Sequence, residues 1–62
     1  MKHYINDLKV KLVEYTELCN TYEKNGIENL GYGETETYGV YLGKKELLEE
    51  IIPNLEKIYS LL

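Results

Sequence analysis

Sixty-two residues with one cysteine and one histidine exclude an internal disulfide and a zinc site of Cys and His ligands within one chain. A net charge of -4, with no arginine, argues against binding to nucleic-acid backbones or anionic membrane surfaces. A chain this short supplies only a small core, and of the usual supports for small domains the composition leaves association with a second copy.

The apolar fraction of 44% and the strong periodicity describe a folded chain. Lys, Asn, Ile, Tyr, Glu and Leu are heavily used, while Ala, Gln, Trp, Phe and Arg are absent. An A/T-rich coding sequence, from a low-G/C bacterium or its phage, would produce much of that bias. The opening MKHYINDLKVK lacks the continuous apolar core of a secretory signal, and no run reaches the length of a membrane span. With a single cysteine, the expectation is a cytoplasmic chain with no membrane partner.

The first element is a helix over residues 3–24. Met1, Ile5, Leu8, Leu12, Tyr15, Cys19 and Tyr22 are spaced 4-3-4-3-4-3, which places them on one helical seam. Tyr4 and Leu18 widen that seam on one side, and Val10 and Val13 lie off it. Asp7 and Lys11 stand four apart with the acid first, the favourable order for a helical pair. Asn25-Gly26 is a stop signal, because glycine accepts the left-handed conformation past a last helical turn.

Residues 27–43 then read as a two-stranded antiparallel hairpin. The stretch from Gly26 to Gly43 holds all five glycines and three of the seven tyrosines. Alternation sends Leu30, Tyr32, Tyr38, Val40 and Leu42 to one face and Gly31, Gly33, Thr37, Gly39 and Tyr41 to the other. The matching register pairs Tyr32 with Tyr38, Leu30 with Val40 and Gly31 with Gly39, leaving Glu34-Thr35-Glu36 as the loop. Paired glycines would let another element approach closely, or would floor a shallow ligand platform walled by Tyr41. A lone hairpin with two open edges is marginal, which again points to a second copy.

The last element is a helix over residues 44–62. Leu47, Leu48, Ile51, Ile52, Leu55, Ile58, Tyr59, Leu61 and Leu62 cover roughly half its circumference, wider than the ~100° stripe of a surface helix. A helix of that kind faces more than one neighbour. Pro53 falls on the polar face with Glu46, Glu49, Glu56 and Ser60, where water can satisfy the freed carbonyl of Glu49. The apolar stripe keeps its phase across it, so one Pro-kinked helix is expected.

Groups able to do chemistry are few. Cys19 sits on the apolar seam without a histidine near it in sequence, and His3 lies in the first helical turn. GVYLGKK has the wrong glycine spacing for a P-loop and lacks its Ser or Thr. GYGETE lacks the third glycine of a dinucleotide fingerprint. The acid pairs Glu34/Glu36 and Glu49/Glu50 do not have calcium-loop spacing. No catalytic residue, cofactor or metal site is expected.

The sequence therefore predicts a single α+β domain, residues 1–62, in the order α-β-β-α, completed by homodimerisation. Its expected function is that of a small non-enzymatic interaction protein binding and modulating a larger host macromolecule, for example as a phage-encoded inhibitor of a bacterial or defence protein. The candidate interface residues are Tyr32, Tyr38, Tyr41, Leu48, Ile52, Leu55, Tyr59 and Leu62. Two alternatives remain open, an acidic nucleic-acid mimic and a small-ligand sink with a Tyr/Gly pocket; direct nucleic-acid binding is not expected.

Overall fold

The computed structural model describes residues 2–61, so the seam position Met1 and the interface candidate Leu62 lie outside the described residues. Two helices, α1 (Lys2–Lys24) and α2 (Tyr32–Ser60), are joined by a short connection containing a 3-10 turn at Ile27–Asn29. The helices run antiparallel. As numbers rise along α1 they fall along α2 through the contacts Lys9–Glu56, Tyr15–Tyr41 and Tyr22–Tyr38. The architecture is an all-α helical hairpin.

The helix α1 forms where its seam requires. Ile5 and Cys19 are buried, and Leu8, Leu12, Tyr15 and Tyr22 are half-buried on the same face. It ends at the stop signal: Gly26 takes φ 90°, and its N–H donates to the Glu23 carbonyl at 3.2 Å. A Cβ there would stand 2.8 Å from the movable side-chain end of Asn29, so it is the backbone angle that selects glycine. The Asp7/Lys11 spacing produces no ion pair; among the described residues the pair within 4.0 Å is Lys9–Glu56, at 3.2 Å.

The expected β-hairpin is absent, and with it the α+β assignment. No residue described is in a strand, and residues 32–43, including Tyr32, Tyr38, Val40 and Tyr41, lie in the first three turns of α2. Only Leu30 and Gly31 are extended at the end of the connection. Neither the pairing of Tyr32 with Tyr38 nor that of Gly31 with Gly39 exists. The argument for a dimer from open strand edges falls with it.

Two periodicities compete in this stretch, and the longer one wins. Tyr38, Val40 and Leu42 alternate, but Tyr38, Tyr41, Lys45, Leu48, Ile52, Leu55 and Tyr59 are spaced 3-4-3-4-3-4. Helical continuation places Tyr38 and Tyr41 against Tyr22 and Tyr15 of α1, with ring centroids 5.9 Å apart in both pairs. Glycines inside a helix cost about 1 kcal/mol each relative to alanine, and this tertiary contact offsets it. Locally, the Thr35 N–H and hydroxyl both donate to the Gly31 carbonyl at 2.9 Å, and the Thr37 hydroxyl donates to Gly33 at 3.0 Å. Glu34 stands in the first turn, where the helix dipole favours an acid. Pro53 is exposed inside α2, which runs through it without a break.

The core is thin. Ile5, Leu48 and Ile52 form its buried cluster, with Leu8, Leu12, Tyr15 and Leu55 packed around them. Cys19 is fully buried nearer the connection. The molecule measures 47 × 15 × 13 Å, and its radius of gyration is 14.2 Å. A compact chain of this length would have about 11 Å. It is a rod one helix pair thick.

Candidate functional site

Two contacts fix the sides of the hairpin. The ammonium of Lys44 lies 5.5 Å from the centre of the Tyr15 ring, on one broad face. The Lys9–Glu56 ion pair lies on the other. The second face is polar: by helical spacing Thr16 and Glu23 of α1 follow Lys9 on it, and Glu49 of α2 follows Glu56. The Tyr38 hydroxyl donates to Glu23 at 2.6 Å on that side.

The Lys44 side is different. Val40, Lys44, Leu47, Ile51, Asn54 and Ile58 follow one another at spacings of 4-3-4-3-4. At 3.6 residues per turn this row lies roughly 100° round α2 from the row that packs on α1. Val40, Leu47 and Ile58 are at least half exposed, and Ile51 is half-buried. From α1, Tyr4, Lys11 and Leu18, seven residues apart, flank the same face, and Tyr4 is 58% exposed. So α2 has two apolar seams, one covered and one open.

Toward the tip two further apolar side chains are open. Ile27 in the connection is 46% exposed, and Tyr32 at the start of α2 is 85% exposed, the most open of the large hydrophobic side chains described. Two shallow depressions lie on the surface of the described residues. One is lined by Glu14, Glu17, Leu18 and Thr21 of α1 alone; the other lies at the open end between Lys2, Ile5, Asn6, Lys9, Glu56 and Tyr59. Neither brings a nucleophile to a base.

The interface candidates separate accordingly. Leu48 and Ile52 are buried against α1 of the same chain, with Leu55 half-buried beside them. Tyr38 and Tyr41 are half-buried in an aromatic cluster with Tyr15 and Tyr22, in which Tyr22 and Tyr41 are 6.4 Å apart. Tyr32 and Tyr59 are exposed. The open row was missed as a row because Val40 reads as part of a strand; the 4-3 spacing crossing Gly43 was the signal for it. The glycine platform walled by Tyr41 does not form, since Gly33, Gly39 and Gly43 are spread along α2 with nothing within 4 Å of their Cβ positions.

Titratable groups add little reactivity. Burial pushes the Cys19 thiol up, opposed by the nearby charge of Lys45 and reinforced by Glu23 and Glu46. His3 is sixteen residues away on the same straight helix, about 24 Å along its axis, so the two do not meet within one chain. Ser60 donates to the Lys57 carbonyl at 2.8 Å. The Tyr38 phenol is pushed up to about 12, first by its hydrogen bond to Glu23 and then by burial.

Among the described residues no three His, Cys, Asp or Glu side chains gather into a cluster able to hold a metal ion, and no helix is long and apolar enough to cross a membrane. Comparison with protein-family models, curated proteins and solved structures returns no match.

Proposed function

We propose that this chain is a small non-enzymatic interaction protein that binds a larger protein and modulates it, with inhibition of a bacterial or defence protein as the expected form. The observation that carries this reading is the inverted distribution of apolar side chains. Among the described residues four hydrophobic ones are buried, whereas eleven large ones are exposed. Single exposed hydrophobics are ordinary on protein surfaces, but contiguous patches mark interaction sites. Here Val40, Leu47 and Ile58 share one face of α2, and Ile27 and Tyr32 are exposed toward the tip. Tyrosine at the tip offers rigid amphipathic area of the kind enriched in binding hot spots.

The test is capture from a bacterial host with tagged wild-type chain and with Tyr32→Ser, which leaves α2 intact beyond its first residue. One protein held in stoichiometric amount by the wild type and released by the variant, at unchanged helicity, is the expected result. Native mass spectrometry showing a retained small molecule and no protein would reject the reading in favour of a ligand sink.

A further inference from the structure

We infer that the open seam of α2 is covered by a second copy of this chain, giving an antiparallel four-helix bundle in which the two connections lie at the same end. This deepens the interaction reading by naming the surface and the geometry of self-association, and it stands or falls separately from the identity of any target.

The first support is the geometry of α2. In a four-helix bundle each helix packs on two neighbours, and its core positions repeat at 3-4 spacing. The covered row Tyr41–Leu48–Ile52–Leu55 and the open row Val40–Leu47–Ile51–Ile58 meet that description, one for each neighbour. Tyr4, Leu8, Tyr15 and Leu18 line the corresponding side of α1, so the whole Lys44 face of the hairpin can be buried at once.

The second support is area. The chain exposes 4736 Å², about 600 Å² more than the ~4,100–4,200 Å² expected of a compact protein of 7.3 kDa. The broad face, 47 by 15 Å between Cα extremes, is comparable to the ~800 Å² per partner that stable interfaces bury.

The third support is charge, and it selects the arrangement. Asp7 and Lys11 are exposed along the outer rim of this face on α1; Glu50 and Lys57 are exposed along the outer rim on α2. The contacts Lys9–Glu56 and Lys44–Tyr15 put Lys11 level with residues 48–54 and Asp7 level with residues 52–58. A two-fold axis parallel to the helices lays α1 of one copy over α2 of the other at the same level. Lys11 then meets Glu50 of the second copy, and Asp7 meets Lys57. A two-fold axis across the helices would instead lay α1 on α1 and α2 on α2, so that Lys11 could not meet Glu50 of the second copy. Opposite charges at the rim set the register.

Light scattering over a dilution series should give twice the 7.3 kDa chain mass for the wild type. Leu47→Glu should shift that mass to one chain at the same concentration. Should Leu47→Glu fail to fold, the rim charges still decide. Lys11→Glu alone and Glu50→Lys alone should each weaken the dimer roughly tenfold, since each removes two symmetry-related pairs, and the double reversal should restore it. A wild-type chain that stays helical at single-chain mass at every concentration overturns the inference. A dimer indifferent to the rim reversals overturns the arrangement with connections at one end.

Discussion

Gly26 and Gly39 test the backbone from opposite directions. At Gly26 the backbone holds φ at 90°, which an L side chain rarely adopts, so Gly26→Ala should lower stability by about 1 kcal/mol. At Gly39 nothing lies within 4 Å of the Cβ position and the residue is helical, so Gly39→Ala should raise stability by about 0.5–1 kcal/mol. Thermal unfolding of the two variants checks both. A glycine paired across a hairpin and packed against a neighbour would give the reverse sign at Gly39. Tyr38 offers a pH test at the same scale. Its phenol titrates at about 12 when folded, against an ordinary value of 10.0, because Glu23 accepts its proton in a hydrogen bond. A group whose folded value is raised stabilises fully below its unfolded value, so this contact acts in full below pH 10.0 and is lost as pH rises to about 12. Glu23→Ala should bring the Tyr38 phenolate absorbance step back toward 10.0.

At the scale of elements, α1 was legible because nothing competes with it: a seam from Ile5 to Tyr22 and a stop at Gly26 carry the same message. The start of α2 was not, because four glycines and the alternation Tyr38–Val40–Leu42 speak for strands in any local window. What decides the helix is non-local, the meeting of Tyr38 and Tyr41 with Tyr22 and Tyr15. The clue available in one dimension was that the 3-4 spacing of Leu48, Ile52 and Leu55 extends back through Lys45 to Tyr38. Pro53 was legible for the same reason, since the phase of the stripe survives it. Pro53 lies exposed on the polar face, where a proline in a helix interior costs about 3 kcal/mol, so Pro53→Ala should raise stability by up to that amount. Ile52, one residue away, is 5% exposed, and Ile52→Ala should lower stability by about 2–5 kcal/mol. Urea unfolding of this adjacent pair should therefore move the midpoint in opposite directions.

For the whole molecule, the sequence carried the excess of apolar surface on the last helix more clearly than the architecture that displays it. The candidates Leu48, Ile52 and Leu55 are used up inside the chain, while Leu47 and Ile58, one step round the same helix, remain outside with Ile51 half-buried between them. Sequence spacing shows that two rows exist; only the position of α1 shows which is covered. A single hairpin with three residues in its buried cluster has little to hold two long helices together, and the proposed second copy would supply a further layer. On that proposal folding and association are one process. Thermal unfolding followed by circular dichroism at several protein concentrations tests this directly. The account predicts a fully helical baseline and a midpoint that climbs as concentration rises. A midpoint independent of concentration, or a baseline carrying a strand signal, would contradict it.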